Sequence, residues 1–171
     1  IAAAIATGKV KRSEIFVTTK VFPTFHNRVQ ESLDASLKNL GLDYVDLLLI
    51  HWPVGFNPKG SDPLFPKTAE GKVDLDPTFS VAATWKQFEA AQKTGKTKAI
   101  GVSNFSTPIL KALLDSGVEI VPAANQIESH PFLPGEEINA FSKEHGIVVE
   151  AYSPLGSTGA PLLNNPVVEE L

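Results

Sequence analysis

The chain has 171 residues, 43% of them hydrophobic, a net charge of −4 and no cysteine. This length fits about one domain with a sizeable core. The basic residues are scattered along the chain, so no nucleic-acid partner is expected. No apolar stretch reaches membrane-spanning length, so no membrane partner is expected either. The absence of cysteine excludes disulfides and thiolate metal sites; we expect a cytoplasmic protein without a metal.

Five short apolar runs are the predicted strands. They cover residues 15–19, 46–50, 98–102, 123–127 and 147–151. The second run, from Asp46 to Ile50, shows little alternation, which is typical of a strand buried on both faces of a parallel sheet. Pro53 has no N–H to donate to a central ladder, so this strand must end before it.

Helical patterns fill the gaps between the strands. Asn27 and Gln30 have the spacing of a capping box for the first helix, and Gly41 supplies its end. Three more helices are predicted, each ended by a glycine: one around Trp85 before Gly95, one from a Ser106 cap to Gly117, and one around Phe141 before Gly146. Strand and helix alternate five times, which predicts an α/β protein with a parallel sheet.

The number of strand–helix units suggests an incomplete barrel. Five units fall short of the eight of a (β/α)8 TIM barrel, and the chain is below the barrel's lower limit of roughly 200 residues. Both chain ends, residues 1–6 and 164–171, have helical patterns. We therefore expect residues 1–171 to be one partial barrel domain, cut inside helices at both ends, of a longer protein.

One connection differs from the others. Residues 54–77 have little periodicity and follow directly after His51 and Trp52. A loop of this length in a compact domain is usually functional.

Polar or aromatic residues follow every predicted strand. They are Lys20, His51 with Trp52, Ser103 with Asn104, Gln126 with Glu128, and Tyr152 with Ser153. Each alone has an ordinary structural explanation, such as a core histidine, a solvated lysine or a helix-capping serine. Because the carboxyl ends of parallel strands meet on one side, where ligands bind in α/β folds, these residues together predict a site.

Longer segments around these residues resemble the aldo-keto reductase family. LDYVDLLLIHWP, KAIGVSNF, ANQIESHPFL and AYSPLGS match family segments in order and separation, and FVTTK fits the segment that carries the family's lysine. The resemblance covers essentially all of residues 1–171. It implies a (β/α)8 barrel that reduces aldehydes and ketones with NADP(H), as a monomer acting on a small carbonyl compound.

The resemblance also implies catalytic roles. Lys20 matches the family's catalytic lysine and His51 its histidine. Its acid tyrosine and its aspartate have no counterpart here. Tyr44 is no substitute for the tyrosine, because it enters its strand at the end opposite His51.

Cofactor and substrate positions carry over in the same way. Ser103, Asn104 and Gln126 match residues that bind the nicotinamide carboxamide, and Tyr152 matches the ring that stacks on the nicotinamide. Ser153, Leu155 and Ser157 match the segment that contacts pyrophosphate and ribose. Phe22, Trp52 and Phe56 resemble the walls of the substrate pocket. No G-x-G-x-x-G is present, so nucleotide binding of the Rossmann type is not expected.

Two other hypotheses remain open at this point. The first is a nucleotide-binding regulatory protein on the same fold, like the potassium-channel β-subunits that resemble this family. The second is a barrel enzyme that uses Lys20 as a Schiff-base amine, which requires a desolvated lysine. The neighbouring Thr18 and Thr19 argue against the second hypothesis.

Overall fold

A computed structural model describes residues 1–170. Its single sheet has five strands in chain order: β1 (Thr18–Val21), β2 (Val45–Ile50), β3 (Thr97–Ser103), β4 (Ala124–Glu128) and β5 (Val148–Tyr152). Every neighbouring pair is parallel, so all five strands end on the same side of the sheet. The predicted parallel α/β sheet is confirmed.

Helices connect the strands as predicted. They are α1 (Ala2–Ala6), α2 (Val29–Leu40), α3 (Val81–Lys93), α4 (Thr107–Asp115), α5 (Glu136–Glu144) and α6 (Pro166–Glu169), with short 3₁₀ turns at Arg12–Glu14, Pro23–Phe25 and Pro161–Asn164. Leu171, the last residue of the predicted final helix, lies outside the described residues. None of the helices within residues 1–170 has the length and apolar character needed to cross a bilayer.

The helices cover one face of the sheet. Leu48 of β2 and Ile100 of β3 belong to a large buried core that includes Leu33 of α2 and Phe88 of α3. Alternate side chains point to the other face, which we call the inner face. There a smaller cluster contains Leu47, Leu49 and Ala124, with Ala99 packed against it. All six residues of β2 are buried, as predicted for a strand covered on both faces.

The first strand begins later than predicted, at Thr18 instead of residue 15. The N–H of Val17 donates to the Asp46 carboxylate (2.9 Å), so the chain before Thr18 is held partly by a side chain and not by a regular ladder alone. As a consequence Lys20 lies inside β1, opposite Leu49, and not just beyond the strand.

The predicted capping box of α2 is wrong. The capping residue is Arg28, and its side chain makes no capping bond. Gln30 donates forward to Asp34 instead of back to the cap, and the N–H of Val29 donates to Gln87 of α3. A tertiary contact thus takes over part of the role of a local cap. Ser106 occupies the N-cap position of α4, as predicted, but its side chain makes no capping bond either.

The long loop, residues 54–77, contains no helix or strand. Two isolated antiparallel bridges, Phe56 with Leu75 and Lys67 with Val73, fold it back on itself. Its base is tied to the segment after β1, because the N–H of Phe56 donates to the Pro23 carbonyl (3.1 Å).

Candidate active site

Lys20 and His51 lie side by side at the carboxyl end of the sheet. Lys20 is opposite Leu49, two residues before His51, and the His51 N–H donates to the Val21 carbonyl (3.1 Å). Burial, and then the positive charge of Lys20, lower the pKa of His51 below its ordinary value. At neutral pH the ring is therefore uncharged and carries one N–H donor. Lys20 makes no ion pair with any residue in the range 1–170.

Asn104 connects the ends of three strands. Its Nδ2 donates to the His51 carbonyl (2.9 Å) and to Ser103 Oγ (3.1 Å). Its Oδ1 accepts a hydrogen bond from the Tyr152 hydroxyl (2.8 Å). The backbone of Asn104 is in the left-handed region, at φ 63°, which asparagine tolerates better than most residues. This conformation lets one amide bridge the His51 backbone and the Tyr152 ring.

Ser103 and Gln126 have different accessibilities. The Ser103 hydroxyl is fully buried and donates to the Gln126 carbonyl (2.8 Å), so it fixes β3 against β4. The side-chain amide of Gln126 makes no hydrogen bond to any of the described residues, although Gln126 is only 8% exposed. An amide presents both donors and an acceptor, so Gln126 can bind a carboxamide or a similar polar group of a ligand.

Tyr152 keeps its proton. Burial, and then the negative charge of Glu128 on the next strand, raise the pKa of Tyr152 above its ordinary value of 10.0. The phenol therefore remains a hydrogen-bond donor to Asn104. With the hydroxyl held in this way, the ring offers a flat apolar surface of fixed orientation on which an aromatic ligand can stack.

Backbone strain is concentrated at this end of the sheet. In residues 1–170, the non-glycine residues with positive φ are Asn104, Ser153, Ser157 and Ala160. Such conformations cost about 1–3 kcal/mol each and cluster at functional sites. Three of the four are predicted cofactor-binding residues. Leu155, between Ser153 and Ser157, is 46% exposed and accessible to a ligand.

An aromatic cluster forms the wall of the site. The Phe22 ring meets His51 edge to face at 5.7 Å and Phe56 at 5.9 Å, and Trp52 stacks beside His51 at 6.4 Å. Phe65, 61% exposed, also packs on Phe22 at 5.2 Å. The sequence did not single out Phe65, because its loop has no periodicity that places a side chain.

The predicted residues are thus brought together. Lys20, His51, Asn104, Gln126 and Tyr152 all lie at the carboxyl ends of parallel strands, which confirms the predicted arrangement. Their individual roles remain predictions. The described residues contain no group of three or more His, Asp or Glu side chains placed to hold a metal ion.

A parallel strand–helix repeat with polar residues at its carboxyl ends is typical of barrel-type α/β proteins, which bind their ligands on that side. Residues 1–165 match the family model described as "Aldo/keto reductase family". The chain therefore belongs to the aldo/keto reductase family.

Curated relatives agree with this assignment. D-galacturonate reductase of Hypocrea jecorina is 54% identical over 97% of this chain and 53% of its own length. Glycerol 2-dehydrogenase (NADP(+)) of Saccharomyces cerevisiae is 53% identical over 98% of this chain and 56% of its own length. The chain thus spans about half the length of the curated relatives it matches.

Solved structures show the same similarity. The aldose reductase of Schistosoma japonicum superposes with a TM-score of 0.90 at 37% identity, covering 99% of this chain and 54% of the other. The aldose reductase of Giardia lamblia gives a TM-score of 0.83 at 38% identity, covering 89% of this chain and 50% of the other.

Proposed function

We propose that this chain forms part of a (β/α)8 barrel enzyme that reduces aldehydes or ketones with NADP(H). The observation that carries the proposal is the linked group at the strand ends. Asn104 holds both the His51 carbonyl and the Tyr152 hydroxyl, and Lys20 lies beside His51. Relatives whose names specify reduction and NADP(+) support the reaction and the cofactor.

The residues present fit the nicotinamide end of this cofactor. Gln126 has a free amide, Tyr152 offers a fixed ring, and the strained segment of Ser153, Leu155 and Ser157 is accessible. Ser103 acts on this site through its bonds to Asn104 and Gln126. When bound, NADPH supplies a hydride for the carbonyl carbon.

The chain's own residues act on the carbonyl oxygen. Negative charge grows on this oxygen during reduction. The His51 ring can donate an N–H hydrogen bond to it, and because the ring is neutral, no charged imidazolium has to be buried in the site. The Lys20 ammonium can lower the pKa of a neighbouring acid by roughly 1–3 units, which makes a phenol a better proton donor at neutral pH. Residues 1–171 supply the histidine and the lysine of the family's catalytic set.

The substrate we propose is a small carbonyl compound with an apolar part. This part would face the wall formed by Phe22, Trp52 and Phe56. We propose a monomeric enzyme of the cytoplasm. The two fungal relatives are named for different substrates, D-galacturonate and glycerol, so we propose no single carbonyl compound as the substrate.

The test uses the whole protein with NADPH and a panel of aldehydes and ketones. We expect His51→Ala to lower the hydride-transfer rate by about 10²–10⁴-fold, since a placed hydrogen-bonding group contributes on this scale, while NADPH affinity changes little. Lys20→Met should also remove activity. The exposed His145 of the α5 C-terminus provides the control, and His145→Ala should leave the rate unchanged.

Two outcomes would contradict the proposal. Near-normal turnover in His51→Ala would exclude the proposed role of the imidazole. If the protein binds NADPH but oxidises it with none of the carbonyl compounds in the panel, the regulatory hypothesis would fit instead.

A further inference from the structure

The base of the long loop is held by a buried histidine that the proposed chemistry does not use. His26 follows the 3₁₀ turn Pro23–Phe25 and is 7% exposed. Its Nε2 lies 3.0 Å from Asp76 Oδ2, and its Nδ1 lies 2.9 Å from the Pro23 carbonyl oxygen. Two residues 50 positions apart in the sequence are thereby joined.

Both partners of the ring are acceptors. A backbone carbonyl has no proton to give, and hydrogen bonds from Thr78, followed by the charge of His26, hold the pKa of Asp76 below its ordinary value. His26 can therefore make both bonds at once only as the imidazolium, which donates from each nitrogen. The Phe79 ring packs edge to face on the imidazole at 5.3 Å. Bonds of this charged kind are roughly twice as strong as neutral ones.

The same atoms also hold the loop backbone. The Pro23 carbonyl that accepts from His26 also accepts from the N–H of Phe56 (3.1 Å). The N–H of Asp76 donates to the Gly55 carbonyl (2.9 Å), next to the bridge between Phe56 and Leu75. Phe56 is thus held on both sides by groups that His26 connects.

Space at this point is tight. A Cβ added to Gly55 would lie 2.7 Å from the Phe79 ring, so the loop base cannot shift toward Phe79 without a clash. On the other side, Gln87 of α3 donates to the His26 carbonyl (3.0 Å). The loop base is therefore fixed to a core helix as well as to the segment after β1.

We propose that His26, paired with Asp76, is a positioning residue that sets where the long loop places Phe56 and Phe65 against Phe22, and hence the width of the substrate pocket. This inference rests on the proposed reductase function for its kinetic consequence. It concerns substrate selection and not the chemical step, because the imidazole of His26 bonds to Pro23 and Asp76, and His26 is not among the causes of the pKa shift of His51.

The test compares His26→Phe, Asp76→Asn and the double variant in the whole protein. His26→Phe keeps a ring but removes both donors; Asp76→Asn keeps the side-chain volume and an acceptor for Thr78, so it tests the pair even if His26→Phe does not fold. The matched control is His145→Phe, since the Nδ1 of His145 also lies 2.9 Å from a backbone carbonyl, but on α5 and without a carboxylate partner.

Two measurements are needed. Hydrogen exchange without substrate should show faster exchange at Phe56 and Asp76 in both single variants. With an aromatic aldehyde as probe, KM should rise about tenfold, comparable to the loss of one charged hydrogen bond, while kcat and NADPH affinity stay near their normal values. The double variant should show less than the product of the two single effects, because both remove one interaction.

The inference would be overturned if hydrogen exchange at positions 56 and 76 were the same in the variants as in the unchanged protein. A fall in kcat with an unchanged KM would overturn it as well. A protein without any reductase activity would contradict the proposed function and the proposed selection of substrate together. Exchange at Phe56 and Asp76 would then still decide whether His26 anchors the loop.

Discussion

Tyr152 shows how one side chain can serve two purposes at the candidate site. We propose that its ring stacks on a ligand, and its hydroxyl holds Asn104 and, through Asn104, the backbone of His51. These contributions can be separated because phenylalanine retains the ring and loses only the hydroxyl.

We predict that Tyr152→Ala weakens NADPH binding by about 10-fold or more, since loss of a stacked aromatic contact costs roughly 1–3 kcal/mol. Tyr152→Phe should weaken NADPH binding less, because it keeps the ring and loses only the hydroxyl that orients Asn104. Fluorescence titration of NADPH with the whole protein measures both. Equal losses in the two variants would show that the hydroxyl, and not the ring, determines binding.

The second prediction at this scale concerns the charge of His51. Burial and the charge of Lys20 place its pKa below the ordinary value of 6.5. The folded protein therefore binds fewer protons here than the unfolded chain. The resulting stability is present above pH 6.5 and is lost as the pH falls through the lower pKa of the folded state.

Lys20→Met should raise the pKa of His51 without restoring it to 6.5, because burial remains as the larger cause. Titration of the imidazole by NMR tests this in the whole protein and requires no activity. Lys38→Met, on the exposed side of α2, is the control and should not move the pKa. An unshifted pKa in Lys20→Met would mean that the two charges are not close.

At the scale of elements, the amino ends of the strands carry a cluster of a different kind. The Asp46 carboxylate accepts from Arg12 (2.8 Å), from Lys98 (3.0 Å) and from the N–H of Val17 (2.9 Å). Arg12 also lies over the Tyr44 ring at 3.9 Å. Tyr44 is thus at the opposite end of the sheet from His51, as the sequence predicted. This cluster joins β1, β2 and β3 and contacts no predicted site residue.

Desolvation raises the pKa of Asp46, but the bonds from Val17, Arg12 and Lys98 outweigh it and lower the pKa from 3.8 to about 2. The unfolded chain therefore binds a proton at Asp46 more readily than the folded protein does, so protonation of Asp46 favours unfolding. Asp46 therefore contributes on the order of 2 kcal/mol above about pH 4, and this contribution is lost as the pH falls toward 2.

We predict that Asp46→Asn lowers the free energy of unfolding at neutral pH by about 3 kcal/mol, mainly because Arg12, with a side chain only 16% exposed, loses its carboxylate. The Lys98 side chain is 57% exposed, so its share is small. Urea unfolding of the whole protein measures the change. Asp34→Asn, which removes a half-exposed ion pair with Lys96, is the control and should cost about 0–1 kcal/mol.

For the whole molecule, the inner face and the two edges of the sheet determine behaviour in solution. In the described residues, β1 and β5 each have one neighbour, so each presents an unpaired edge. Val148 of β5 is 64% exposed and Phe16, just before β1, is 70% exposed. Unpaired edges with exposed apolar residues promote pairing between chains.

We predict that a polypeptide limited to residues 1–171 associates in solution. Val148→Lys should reduce the association, because a charge on an edge strand opposes pairing. Val167→Lys is the control, since Val167 is similarly exposed (63%) but lies on α6. A monomeric polypeptide that unfolds cooperatively, shown by sedimentation velocity and calorimetry, would contradict this.

Much of the fold was predictable because its signals are local. The apolar run before His51, the glycine after α2 and the βα alternation each depend on neighbouring residues, and together they predicted a parallel sheet with His51, Asn104 and Tyr152 at one end. The family motifs then supplied roles that no periodicity contains.

Other features depended on contacts between residues distant in sequence, and only the tertiary structure decided them. Gln87 replaces the expected Asn27 cap, Phe65 reaches Phe22, and Asp76 pairs with His26. The physical reason is common to all three. The path of residues 54–77 and the approach of α3 to α2 are set by packing, which leaves no regular pattern in the chain. The sequence by itself determined the sheet and the polar residues at its carboxyl ends, and tertiary packing determined the wall that faces them.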